Sequence, residues 1–412
     1  MIQEDKQPRS YSKVIITCCF CLQTVGIGVY NAFWIFFTPL ISEFGWSRAV
    51  ISGASSMAFM VSGFFGILIG HLNDRIGPRI IVGLTALFFS AGYILMSHTN
   101  SIWELYLFFG FIFGIGLSSV DVIALTTVAR WFPARRGLMT GIVKVGTGAG
   151  QFVFPLLASL LIAGYGWRNS FVVLGVISLI ILTIIAWLLK KEPEKISNTT
   201  HLSSTDSNEE RAIIDFSFFM ASKTSQLWIL CLINLSIVSC LMSVLVHIVP
   251  HARDIGISVH KASGVLSTIG VVSMAGRFIT GMVIDRIGSK RSMMIAILVL
   301  ITSMLWLKTA DQLWKLYLFA AIYGLAHGGF FTVISPIVAE LFGTSSHGSL
   351  FGMVVFFGTA GGAIGPVITG YIFDMTGSYI LPIWIALLVS LLGLSLLMVL
   401  TPVARHSIAK QP

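Results

Sequence analysis

Three charged residues lie where the surrounding sequence is almost wholly apolar: Asp121, Lys144 and Arg277. A charge at the centre of a bilayer costs about 2.5–3.5 kcal/mol on insertion scales, so each calls for a partner or a task. At a helical rise of 1.5 Å per residue, Asp121 lies roughly 13 Å from Arg130, Lys144 roughly 12 Å from Arg136 and Arg277 roughly 10 Å from Asp285. All three share one depth. Their charges sum to +1, two cations against one acid. If Asp121 neutralises Lys144, the Arg277 guanidinium is left over to face a central cavity. Its planar fork of N–H groups holds a carboxylate through two hydrogen bonds, which suits a small monoanion. A dianion needs both cations free, and a neutral sugar leaves the extra charge unused. Two alternatives stay open at this level: an ion pair from Arg277 to Asp285 or Asp74, and a purely structural Asp121–Lys144 pair. Asp121 is also the candidate proton-coupling group.

Histidines form a second set. His247 and His251 flank Pro250 at i, i+4, and His327 lies among glycines. Imidazole titrates near neutral pH, so His247 is a candidate both for proton relay and for substrate contact, and His327 for substrate contact. A hydrogen-bonded polar spot on a cavity-facing helix is the plainer reading of each. Tyr30 and Asn31 are candidate substrate-binding donors, with a helix–helix contact as the alternative. The five cysteines, Cys18, Cys19, Cys21, Cys231 and Cys240, lack metal-ligand spacing and read as packing residues. Neither a metal nor a cofactor is implied. The clusters Gly146–Gly150 and Gly358–Gly362 lack the lysine of a phosphate loop and suit close helix packing instead.

The elements that position these groups follow from composition. Of 412 residues, 56% are hydrophobic and 10% charged, whereas soluble chains carry about 25% charged residues. Crossing a core of ~30 Å takes about 20 apolar residues of helix, and an open sheet would leave its edges unpaired. Barrel strands would show alternating segments of about ten residues. The chain is therefore expected to be an all-α integral membrane protein with the lipid bilayer as its partner. The net charge of +9 has no aromatic-interleaved basic stripe, so nucleic acid is not expected. No nucleophile–base or metal cluster recurs, which argues against an enzyme, and the polar stretch between the two sets of spans is too short for the soluble output domain a sensor would usually carry.

Spans are predicted at about 14–39, 46–72, 79–98, 102–129, 136–163 and 168–190, then about 226–250, 261–284, 291–309, 313–339, 348–371 and 379–402. The polar stretch between the sets reads as a linker, so the expected units are 1–190, a cytoplasmic linker 191–225 and 226–412. Within it, Phe216 to Lys223 reads as a short lead-in to the seventh span. Of the 26 lysines and arginines, 18 fall on the side of the termini, which places both termini in the cytoplasm of a cell (inner) membrane. A monomer is expected.

The two sets repeat. Gly70, Asp74, Arg75, Ile76 and Gly77 recur 211 residues later as Gly281, Asp285, Arg286, Ile287 and Gly288. The same offset carries Gly137 onto Gly348, Gly141 onto Gly352, Gly150 onto Gly361 and Pro155 onto Pro366. An even number of spans separates the copies, so the halves are parallel pseudo-repeats of six helices. Carriers that work by alternating access are commonly built this way, with substrate between the halves near mid-membrane.

The run from Gly70 through Leu72, Asp74, Arg75 and Gly77 to Arg79 resembles the signature of the major facilitator superfamily, and the copy from Gly281 to Lys290 is close. This resemblance implies a twelve-helix carrier fold. In it Asp74, Arg75, Arg79, Asp285 and Arg286 are gating and structural residues that clamp neighbouring helices. Within the superfamily, Arg130–Leu138 with Gly141 and Gly146, and Met274–Arg277 with Gly281, resemble the monocarboxylate transporter and oxalate–formate exchanger groups. There the span-eight arginine, here Arg277, is essential. Ser273 stands where animal monocarboxylate transporters have an aspartate, and span eleven lacks the exchanger's lysine. The expectation is a secondary transporter of small monocarboxylates of the lactate and pyruvate type, coupled to a proton. An organic-anion exchanger of the oxalate–formate type, with Lys144 as second cation, is the alternative.

Overall fold

A computed structural model describes residues 9–190 and 216–401, and among them every element is helical. Eleven stretches are long and apolar enough to cross a membrane. One of these holds two helices within Arg136–Leu188, whose 53 residues amount to roughly 80 Å of helical rise, enough for two bilayer cores. It turns at Gly166, where φ is 75° and ψ 164°, a conformation open to glycine but strained for other residues. Two crossings thus meet at this kink without a connecting loop, and the total is twelve.

We number them in order. α1 is Tyr11–Phe44, including a 3-10 turn at Phe33–Phe36, α2 is Arg48–Ile76 and α3 is Pro78–Leu95. α4 is Ile102–Trp131, α5 is 136–165 and α6 is 167–188. α7 is Ser225–Asp254, α8 is Val259–Ile287 and α9 is Ser289–Leu307. α10 is Leu313–Phe342, α11 is His347–Thr376 and α12 is Ile380–Val399. The repeated motif marks helix ends. Gly77 (φ 97°) and Gly288 (φ 87°) close α2 and α8, so the next helix starts at once, with Pro78 in the first turn of α3. In the second copy Ser289 replaces the proline, and its hydroxyl donates to Glu340 of α10 at 2.6 Å.

Within the halves, α1 packs along α5 and α7 along α11, each through glycines that admit the partner's backbone. The linker expected at 191–225 lies largely outside the described residues. At its end a one-turn helix, Phe218–Ser222, follows Phe216, whose N–H donates to the Phe342 carbonyl at 3.0 Å and whose ring packs edge-on against Phe342.

The halves meet along two seams, α2 against α11 and α5 against α8. At the first, Gly66 and Gly70 face Gly352 and Gly348; at the second, Gly137 and Gly141 face Gly281. The offset of 211 relates one seam to the other. These contacts run from the end that carries the Asp–Arg motifs, the motif end, to mid-span, where Gly63 meets Thr359 and Gly148 meets Met274. The motif end is closed. A methyl group on Gly70 would overlap the Gly348 carbonyl. Gly70→Leu is therefore expected to hold this end open. A cysteine placed at Ser62 should then react several-fold faster with a polar thiol reagent added from that side than it does when Gly70 is intact. Equal rates would mean that the seam yields without parting.

Candidate functional site

At the motif end each repeated aspartate caps a helix of the opposite half. Asp74 Oδ1 accepts from Gly348 N–H and Oδ2 from Ser349 N–H, both at 2.9 Å, and Oδ2 also accepts from the Ser349 hydroxyl. Asp285 accepts from Gly137 N–H at 2.7 Å and Leu138 N–H at 2.9 Å. A carboxylate is favoured there because the first turn of a helix presents free N–H groups and partial positive charge. The clamp expected between neighbouring helices is thus a clamp across the seam. Asp74 pairs not with adjacent Arg75 but with Arg130 of α4, Nη2 to Oδ1 at 2.5 Å. Arg130 in turn donates to the carbonyls of Thr344 and Ser345 in the other half. The counterpart of Arg130 in the second half, 211 residues on, is Leu341. Arg75, Arg79 and Arg286 are exposed at this end.

Mid-span, a cavity of about 80 Å³ lies between the halves, with Ile27, Asp121, Lys144, Asn234, Phe331 and Thr359 among its walls. α4 reaches it after a π-helical stretch, Tyr106–Phe113, a form often found beside functional sites because it re-aims the residues that follow. Lys144 of α5 donates to Asp121 Oδ1 at 2.5 Å. The lysine is 7% exposed and the carboxylate 32%, so the pair is rooted in protein and opens to the cavity on the acid's side. Gln23 of α1, fully buried, donates to the same Oδ1 at 2.7 Å and to the Val120 carbonyl at 3.2 Å, while its Oε1 accepts from Thr147 at 2.9 Å. Both bonds to the acid fall on Oδ1. Oδ2 has no hydrogen-bond donor among the described residues.

Arg277 is 4% exposed and is paired with no acid among the described residues. Its Nη1 donates to the Lys144 carbonyl at 3.2 Å across the α5–α8 seam, and its Nε–H has no acceptor. The side chain expected to face the cavity is instead tucked behind α5 in this conformation and is not part of the cavity wall. The reason is packing: Gly141 and Gly148 let α8 lie close enough for the guanidinium to reach α5 backbone. His327 is 92% buried, its Nδ1 is 3.0 Å from the Ser273 hydroxyl, one turn before Arg277, and its Nε2 has no partner. Arg277, His327 and Ser273 thus form one polar cluster.

The other expected pocket residues are placed elsewhere. His247 bridges the Pro366 carbonyl (3.0 Å) and the Tyr379 hydroxyl (3.2 Å) in a separate cavity of about 40 Å³ between α7, α9, α11 and α12. It is thirteen residues along α7 from Asn234, roughly 20 Å away, so it cannot touch a ligand beside Asp121. Tyr30 receives a hydrogen bond from Ser55 Oγ at 3.0 Å and stacks on Phe59 and Phe109; Asn31 donates to the Ile27 carbonyl of its own helix. Neither lines the central cavity. Sequence reading passed over Gln23, Thr147, Asn234 and Arg130 as site residues. The offset of 211 would have found two of them, since it pairs Gln23 with Asn234.

Comparison with known proteins agrees with this fold. Residues 18–304 and 227–412 match the model of the Major Facilitator Superfamily. The chain is 25% identical over 368 residues to monocarboxylate transporter 13 of Rattus norvegicus, covering 89% of this chain and 83% of the relative. It is also 25% identical over 394 residues to the MFS-type transporter YcxA of Bacillus subtilis, covering 92% of each. Among solved structures, the human organic anion transporter MFSD10 superposes with a TM-score of 0.73 at 16% identity, over 95% of this chain and all of that one.

Proposed function

The chain belongs to the Major Facilitator Superfamily, and from that premise we propose that it carries small monocarboxylates of the lactate and pyruvate type with a proton, by alternating access. One observation carries the reading: at the seam of the halves buried Lys144 is held by Asp121, whose carboxylate opens to the cavity, and buried Arg277 is paired with no acid among the described residues. Lys144 is held by Asp121 while the acid is ionised. A proton on Asp121 Oδ2 releases Lys144, whose ammonium then faces the cavity, and Arg277 must turn from the α5 backbone to grip an incoming carboxylate. Proton and anion are thereby taken up together, and the pair crosses without working against about 2.3 kcal/mol per charge per 100 mV. Monocarboxylate transporters among the relatives support the substrate class.

In the same reading the motif end is cytoplasmic, as the lysine and arginine bias favours, and the halves 1–190 and 226–412 rock about the cavity as a monomer in the cell membrane. His327, beside Arg277, is a second contact for the anion. His247, Tyr30 and Asn31 take no part in binding from the positions they occupy.

The test is uptake into liposomes holding the purified protein. Saturable entry of labelled lactate, driven by an inward proton gradient and collapsed by a protonophore, is expected. Gradient-independent counterflow of oxalate against formate would replace proton symport with exchange.

A further inference from the structure

Gln23 and Asn234 hold equivalent places in the two halves, each putting a carboxamide beside the fifth helix of its half. In the first half every polar atom of the amide is engaged, and the Thr147 hydroxyl supplies the hydrogen that Gln23 Oε1 accepts. The counterpart of Thr147 in the second half is Gly358, which has no hydroxyl to give. Nor could it carry one unchanged, because a Cβ there would overlap the Asn234 amide nitrogen. Asn234 Nδ2 donates to the Val354 carbonyl at 2.6 Å, and this fixes how the amide is turned, since a carbonyl can only accept. Oδ1 is left without a donor in a residue 3% exposed. Native proteins leave few buried acceptors unmatched. Asn234 also lines the same cavity as Asp121 and Lys144, on the opposite half.

We infer that Asn234 Oδ1 accepts a hydrogen bond from a hydroxyl group of the transported anion, so that the carrier selects short hydroxylated monocarboxylates over oxo and unsubstituted ones. The hydroxyl that Thr147 gives to Gln23 comes, in the second half, from the substrate. A 2-hydroxy acid carries carboxylate and hydroxyl on adjacent carbons, so Lys144 and the Asn234 amide grip it from the two sides of the seam. An oxo group has no hydrogen to donate. Sites built to bond a substrate hydroxyl discriminate strongly against analogues that lack it. This selection rests on the monocarboxylate reading above.

The experiment compares initial uptake of labelled lactate, pyruvate and propionate by the full chain in liposomes under one inward proton gradient. The expected kcat/KM for lactate exceeds the other two by about tenfold or more. Asn234→Leu should erase that preference, bringing kcat/KM for lactate down to that for propionate in the same variant. Asn234→Gln, which installs the amide of the other half, should keep it. Protection against thermal unfolding by lactate but not propionate, present in the wild type and absent from Asn234→Leu, gives a readout that needs no turnover. Equal uptake of the three acids by the wild type, or an undiminished lactate preference in Asn234→Leu, overturns the role of Asn234 and leaves the carrier reading standing. Uptake of none of them by the wild type removes the monocarboxylate reading and this selection with it.

Discussion

Arg277→Ala lowers kcat/KM for a labelled monocarboxylate by 100-fold or more in liposomes, and Arg277→Lys recovers only a small part of the loss. Two charge-assisted hydrogen bonds to one carboxylate are worth about 1.5–3 kcal/mol each, and every 1.4 kcal/mol is tenfold. Lysine restores the charge but offers a point donor on a flexible stem instead of a planar fork. The fold should tolerate the alanine, because the charge removed is the one without a counterion: the middle of the bundle passes from two cations and one acid to one of each. Unfolding temperature in detergent therefore separates the two explanations for lost uptake. Full affinity in Arg277→Lys would show that the carboxylate is not gripped through two bonds.

Asp121 should behave in the opposite way, with stability and coupling both affected. Asp121→Ala leaves Lys144, 7% exposed, without its acid. Removing one partner of a buried ion pair typically costs about 3–5 kcal/mol, because the remaining charge cannot return to water. Adding Lys144→Met to Asp121→Ala is expected to restore most of the unfolding temperature, since it removes the stranded charge. Asp121→Asn is the sharper probe of function. Its Oδ1 can still accept from Gln23 and Lys144, so the local geometry holds, but it has no titratable oxygen to take a proton. Uptake driven by an inward proton gradient should fall to the level without a gradient, while exchange of labelled for unlabelled lactate continues. Gradient-driven accumulation by Asp121→Asn at the wild-type rate would move the proton site elsewhere.

The fold was legible in the sequence because the bilayer admits few solutions. Apolar runs near twenty residues set the crossings, and the offset of 211 disclosed the doubling. What it did not disclose is the loopless junction at Gly166, since a glycine between two apolar runs reads as an ordinary turn. The Asp121–Lys144 pair followed from depth and sign alone. Arg277 shows the limit of that reasoning. Depth along a helix gives a residue's height but not its facing direction, and close passage of α8 over Gly141 and Gly148 turned the guanidinium toward backbone. His247 failed for a related reason: it shares α7 with Asn234 but lies too far along it. The amides escaped notice because uncharged side chains raise no alarm in an apolar run, although an amide there needs hydrogen-bond partners as much as a charge needs a counterion.

The substitution of Leu341 for an arginine makes the two sides of the closed end unequal. Along α2 and α11 the capping aspartate is cross-braced by a guanidinium that also grips the facing loop; along α5 and α8 Leu341 stands in that guanidinium's place, and no ion pair to the aspartate occurs among the described residues. A twofold-symmetric protein would part evenly. In this one we expect the weaker edge to yield first, the bundle swinging about the stronger edge as a book opens about its spine, with a solute leaving by this end passing between α5 and α8.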